Sequence, residues 1–108
     1  MVEHRLDRTF QALADPTRRA ILARLQGGAV TVSDLAEPFP ISLAAVSKHL
    51  GVLERAGLVR RESHGRERRC HLRAAPLRQA AGFAAAYRPF WEKRLDALEA
   101  MLEEEEEA

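Results

Sequence analysis

Ser42-Leu43-Ala44-Ala45-Val46-Ser47-Lys48-His49-Leu50-Gly51-Val52-Leu53-Glu54-Arg55-Ala56-Gly57-Leu58-Val59 is the stretch on which the fold turns. It opens on serine, a good helix cap, and closes on glycine, which suits a left-handed terminator. Between them Val46, Leu50 and Leu53 recur at helical spacing, so one helix is predicted from Ser42 to about Ala56 with a single buried stripe. Stepping about 100° per residue from Val46, the outward positions are Ala44, Ser47, Lys48, Gly51 and Arg55. That face is small, polar or basic. The major groove of DNA, about 12 Å wide, admits one such helix. Ser47 can meet a base edge or a phosphate, Lys48 a phosphate or a guanine, and Ala44 or Ala45 a thymine methyl, while Gly51 lets a sugar-phosphate strand approach closely. The competing reading is a solvated face with a tolerated glycine.

Upstream, Thr31-Val32-Ser33 offers two hydroxyls, either of which can cap a short helix through Asp34, Leu35 and Ala36; Pro38 and Pro40 forbid its extension. Two helices thus meet across a tight turn. Before them, Asp15-Pro16 pairs a cap with a residue tolerated at the first helical position, opening a helix that carries Ile21, Leu22 and Leu25 and ends at Gly27-Gly28. Leu6, Phe10, Leu13 and Ala14 lie on one face of a first helix.

Downstream, Leu58-Val59-Arg60-Arg61-Glu62 and Arg68-Arg69-Cys70-His71-Leu72 are candidate strands flanking Ser63-His64-Gly65-Arg66, where Gly65 supplies the positive φ a hairpin turn needs. The expectation is a two-stranded hairpin with a basic tip, Cys70 and Leu72 facing the core and Arg69 and His71 facing out. Arg60, Arg61, Arg66, Arg68, Arg69 and Arg73, with His64 and His71, crowd this element, and arginine suits phosphate or a narrow minor groove. Charge that guards an edge hairpin against aggregation is the plainer explanation, but Glu62 and Glu67 offset only part of it.

After Ala74-Ala75-Pro76 an alanine-rich helix carries Leu77, Ala80, Ala81, Phe83, Ala84 and Tyr87 until Pro89 kinks or restarts it. Phe90, Trp91, Leu95, Leu98, Met101 and Leu102 then form an apolar stripe that a chain of 108 residues cannot cover alone, which invites a second copy. Five glutamates, Glu103 to Glu107, follow as a tail expected to fray. The formal net charge of +1 hides this division: without the tail, 17 basic residues stand against 11 acidic ones, bunched between Lys48 and Arg73.

One domain is the natural size for this chain, no apolar run reaches membrane-spanning length, and the N-terminus lacks a secretory core, so a cytoplasmic protein is expected. A single cysteine, Cys70, allows no internal disulfide and no cysteine-held metal, and scattered histidines match no metal motif, so no cofactor or metal is expected. No catalytic constellation is visible, and an enzyme is not expected. Cys70 as a thiol sensor competes with Cys70 as a small core residue.

Ala14-Asp15-Pro16-Thr17-Arg18-Arg19-Ala20-Ile21-Leu22, then Leu35-Ala36, Ser42, Val46-Ser47-Lys48-His49-Leu50 and Leu53-Glu54-Arg55-Ala56-Gly57-Leu58-Val59, resemble the ArsR family of bacterial winged-helix repressors over residues 3 to 72. The resemblance implies a mainly α, winged helix-turn-helix protein with a two-stranded β wing. It further implies a homodimer joined by its first and last helices on an imperfect palindromic operator near its own or a neighbouring promoter. Residues 1–14 and 74–102 would be dimerisation helices, 31–57 the helix-turn-helix, 58–73 the wing and 103–108 the acidic tail. DNA would meet Ser42, Ala44, Ala45, Ser47, Lys48, His49 and Arg55 on the helix and Arg61, His64, Arg66, Arg68 and Arg69 on the wing. The dimer seam would hold Leu6, Phe10, Phe83, Tyr87, Phe90, Trp91, Leu95 and Leu98. Members that sense metals use cysteines in the third helix or Asp, His and Glu on the last; this chain reads Thr31-Val32-Ser33-Asp34-Leu35 there and has no histidine after His71, and its C-terminal segment, Tyr87-Arg88-Pro89-Phe90-Trp91 through Leu95-Asp96 and Leu98, resembles a metal-free subgroup instead.

Two other readings compete. Ala44 and Ala45 supply no base hydrogen bonds, which favours a protein-interaction or anti-regulatory module that has lost DNA binding. Single-stranded RNA would want an exposed aromatic platform, which the basic region lacks. Tyr87, Phe90 and Trp91 would suit either a dimer core or a pocket for a small-molecule effector.

Overall fold

The computed structural model describes residues 2–107, with the side chains of Val2, Glu3 and Trp91 outside the description. Its elements run α1 (Val2–Leu13), α2 (Pro16–Leu25), β1 (Val30–Thr31), α3 (Val32–Ala36), α4 (Leu43–Arg55), β2 (Val59–His64), β3 (Glu67–Leu72), α5 (Ala75–Ala85) and α6 (Arg88–Glu107). The fold is mainly helical with a winged helix-turn-helix at its centre.

Local chemistry sets the boundaries. Asp15 accepts from the backbone N–H of Arg18 at 3.1 Å and so caps α2, with Pro16 in its first turn. The next residues reach backwards: Arg18 donates to the carbonyls of Ala12 at 2.7 Å and Gln11 at 2.9 Å, and Arg19 to that of Leu13 at 2.6 Å. The last carbonyls of α1, orphaned by the end of the helix, are thus satisfied by α2. Of the two hydroxyls that could cap α3, Thr31 does so, accepting from Asp34 N. Ser42 caps α4 through Ala45 N. At the other end Leu58 N donates to Leu53 O at 2.9 Å and Gly57 N to Glu54 O at 3.0 Å, with Gly57 at φ 76°; this Schellman closure turns the chain into β2 with Leu58 buried beside Leu53.

The hairpin pairs β2 with β3 antiparallel from Val59↔Leu72 to His64↔Glu67. Only Gly65 and Arg66 lie between the strands. Gly65 has φ 62° and Arg66 does not have positive φ, the pattern of a II′ turn. The expected two strands are joined by a third, because β1 pairs antiparallel with β3, Val30↔Cys70 and Thr31↔Arg69, giving the order β1-β3-β2. Two residues carry no periodicity, and only the tertiary approach of β3 makes them a strand.

Ala12, Ile21, Leu22, Leu25, Leu35, Val46, Leu50, Leu53, Leu58, Val59 and Cys70 close one core between α1, α2, α3, α4 and the sheet. Cys70 is fully buried, as its alternation predicts, and Leu72 packs at the margin. His71 departs from expectation: it is half-buried, and its Nε2 is shut off from solvent with no well-aligned hydrogen-bond partner, its near oxygen being Glu62 Oε2 at 3.1 Å.

α5 packs on α1, and the chain restarts after Ala86-Tyr87 as α6, so Pro89 lies in a first turn and not at a kink. α6 continues to Glu107 where a frayed tail was expected; glutamate's high helix propensity outlasts the repulsion of the run. Every described side chain of α6 is exposed, and the molecule measures 63 × 36 × 21 Å. Among the described residues, no helix is long and apolar enough to cross a membrane.

Candidate nucleic-acid interface

Between α3, α4 and the hairpin lies an open cleft of about 790 Å³. Thr31, Val32, Ser33 and Asp34 form one wall, Leu43, Ala44 and Ser47 the floor, and Arg61, Arg66, Glu67 and Arg68 the other wall. Strand alternation explains the last set. Arg61 stands opposite Cys70 in the ladder, so it and Arg68 share the hairpin face turned towards α4, whereas Arg60, Glu62, His64, Arg69 and His71 occupy the other face.

The predicted reading positions divide accordingly. Ala44 and Lys48 are exposed on α4, Ala45 and Ser47 half-buried, and Ser42 is exposed with its hydroxyl engaged in capping. Arg66 and Arg68 flank the cleft with no partner among the described residues. Arg61 is pinned: its guanidinium reaches Glu54 Oε1 at 3.2 Å and Ser47 Oγ at 3.4 Å. A Cβ at Gly51 would stand 3.4 Å from Arg55 Nη1 and 3.9 Å from Arg61 Nη2, so this glycine makes room for two guanidinium groups. His49 turns away from the cleft, its Nδ1 3.4 Å from Arg18 Nη1 and 3.9 Å from Asp15. It braces α4 against the start of α2. His64 and Arg69 pair with Glu62 and Glu67 on the far face of the hairpin. Leu43, 55% exposed at the cleft floor, and the α3 wall escaped the sequence reading because neither basic charge nor an apolar stripe marks them.

Among the described residues, two groups have shifted acidities. The backbone N–H of Arg18, with help from His49 and the Arg18 guanidinium, holds the Asp15 carboxyl below its ordinary range, while burial pushes the Cys70 thiol up. A raised thiol in the core lacks the thiolate character a sensor would need.

Phe10 meets Phe83 edge-on at 5.8 Å between ring centroids, and Phe83 meets Tyr87 at 5.4 Å. These rings continue into Phe90, Leu95, Leu98, Met101 and Leu102 on α6, each more than half exposed, while Leu6 is half-buried. The expectation for Trp91 lies outside the described side chains.

The helix-turn-helix domain family matches residues 13–62. Over 53 residues the chain is 57% identical to the HTH-type transcriptional regulator Rv2034 of Mycobacterium tuberculosis, covering 49% of this chain and 50% of the relative. Over 54 residues it is 44% identical to the transcriptional repressor SdpR of Bacillus subtilis, covering 50% of this chain and 60% of the relative. The chain thus spans half to three-fifths of the length of these curated relatives. A solved structure, the ArsR family transcriptional regulator RHA00566, superposes with a TM-score of 0.76 at 42% identity, covering 83% of this chain and 93% of that one. With a capped reading helix, a hairpin beside it and this degree of likeness along nearly the whole of a solved relative, the chain belongs to the ArsR family of transcriptional regulators.

Proposed function

We propose that this protein is a cytoplasmic, homodimeric repressor, not an enzyme, that occupies an imperfect palindromic operator near its own or a neighbouring promoter. The observation that carries the reading is the cleft itself: exposed Ala44 and half-buried Ser47 on α4 stand across an open channel from two arginines, Arg66 and Arg68, that make no ion pair among the described residues, and exposed Lys48 follows on the same helix. α4 enters the major groove. Ser47 and Lys48 read or neutralise there, Ala44 and Ala45 allow close approach, and Arg66 at the hairpin tip follows the adjacent backbone or minor groove. Arg61, held by Glu54 and Ser47, keeps wing and helix in register. Arg55, His64 and Arg69 would touch only flanking phosphates, and His49 acts as a brace.

Dimerisation follows from the apolar surface on α1, α5 and α6. Among the described residues, Phe83 on α5, Tyr87 in the turn that follows and Phe90, Leu95, Leu98, Met101 and Leu102 on α6 are large, apolar and exposed, and a symmetric partner buries such a surface at least cost. A two-fold dimer presents two α4 helices and so selects a palindrome with half-sites about one turn apart. The metal-free reading rests on residue types, since α3 holds no cysteine and no histidine follows His71. The signal that releases the operator would act through the helices of the seam, where a small-molecule effector has aromatic walls to bind.

Binding of the full chain to its own upstream DNA, against a scrambled duplex of equal length across a salt series, tests this. Selective binding of two protomers per site supports it. Weak and equal binding to both duplexes, at every salt concentration and for flanking DNA on both sides of the gene, overturns it.

A further inference from the structure

The fifteen arginines of this chain divide sharply by partner. Arg18, Arg19 and Arg24 donate to backbone carbonyls, Arg60, Arg61, Arg69 and Arg88 face glutamates, and Arg94 lies over the Phe90 ring. Of those without a partner among the described residues, Arg66 and Arg68 belong to the cleft. Four others, Arg5, Arg8, Arg55 and Arg73, line one cavity of about 340 Å³ on a different part of the molecule, between α1, the end of α4, the end of β3 and the start of α5. Among the described residues no carboxylate lines it.

We propose that this cavity is a binding site for a small phosphate-bearing anion of at least two negative charges. Arg5, Arg8 and Arg73 border one concavity, whereas the Arg55 guanidinium lies over Gly51, its Nη1 3.4 Å from where a Cβ would stand. Like charges gathered in this way repel one another, and an anion placed among them relieves that repulsion. They approach from α1 and from the junction of β3 and α5. A carboxylate offers two oxygens in one plane, whereas a phosphate offers three or more around a centre, which suits planar forks converging from several directions. The start of α5 adds to this. Its cap position is Ala74, which provides no side-chain acceptor, and Pro76 follows in the first turn, so the positive end of an eleven-residue helix faces the same concavity without an internal counter-charge. The volume lies within the range of sites for small ligands.

Position gives the site a consequence. Arg5 and Arg8 are on α1 and Arg73 leads into α5, the helices of the proposed seam, while Arg55 is in the last turn of the reading helix α4. An anion held by Arg5, Arg8 and Arg73 beside Ala56 and Gly57 ties α1 and the start of α5 to the end of α4 and biases the spacing of the two reading helices. The binding itself needs no DNA and stands apart from the operator reading.

The probe is inorganic pyrophosphate, titrated into the full-length protein at constant ionic strength and followed by amide NMR, with chloride as control. Saturable shifts at Thr9, Ala56, Gly57 and Leu77, weakened about tenfold or more in the pair Arg8→Gln with Arg73→Gln, are expected. The pair Arg8→Lys with Arg73→Lys keeps the charge and loses the fork, so it should bind between the two. Unchanged spectra elsewhere show that the variants fold. A phosphate of the DNA backbone has the same chemistry, and a second arm separates it: the glutamine pair is measured on operator DNA across salt. No saturable shift, but a log-log salt slope smaller by about 1.8, assigns the phosphate to DNA. Shifts that fail to saturate and match those of chloride, together with an unchanged slope, overturn the site.

Discussion

The body of the molecule and its last helix are built on opposite terms. From α2 to β3 every helix begins on a side-chain cap, and apolar stripes meet in one core whose members Ile21, Leu35, Val46, Leu50, Leu53 and Leu58 are completely enclosed. α6 has an equally apolar stripe, yet Leu95, Leu98 and Met101 are 52–60% exposed. Apolar periodicity alone therefore does not say what an element is buried against. In the body the partner is the same chain; on α6 the rest of the described chain leaves the stripe bare.

Truncating the core should have the largest effect. Leu50→Ala is expected to cost about 3 kcal/mol, a large part of the stability of a domain this size, read as a lower denaturation midpoint at one fixed protein concentration. Leu98→Asp should leave the body folded and shift the protein to monomers in sedimentation equilibrium; a variant that stays a dimer of wild-type stability breaks the comparison, because α6 would then be bare in solution too. Within the body, pinned and unpinned arginines can be set against each other. Arg66→Gln with Arg68→Gln should lower the log-log salt slope of DNA binding by about 1.8, whereas Arg61→Gln, whose guanidinium already has partners, should leave that slope nearly unchanged. Equal losses would erase the distinction. The smallest effect concerns the Asp15 cap. Its pKa is lowered in the folded protein, so the stability it adds is complete above the ordinary value of 3.8 and lost as pH falls through the folded value. Asp15→Asn, which caps without titrating, should flatten that acid limb of the urea midpoint against pH.

Much of this was legible in the chain because the signals are local. Ser42, Gly57 and the Val46-Leu50-Leu53 stripe fix α4, and Gly65 fixes the hairpin turn. What was not legible depends on residues far apart in sequence. β1 exists only because β3 arrives beside it. Arg61 alternates to the correct face, but nothing local says that Glu54 and Ser47 will hold it. His49 lies next to the reading positions and is taken by Asp15 and Arg18, which arrive from α2. Arg5, Arg8, Arg55 and Arg73 are strung over most of the sequence and border one cavity only once α1 has packed beside α5.

The projecting α6 also affects how the protein will be weighed. A folded chain of this length has an expected radius of gyration of about 13 Å, whereas this protomer has 18.2 Å. Its frictional ratio is correspondingly high, so a lone protomer of 12.1 kDa will elute from a sizing column ahead of its mass. In the proposed dimer, two protomers clasped along α6 would gain mass with little added length, and the elution volumes of the two species would draw together. Light scattering or sedimentation equilibrium, which report mass without shape, are the measurements that tell them apart.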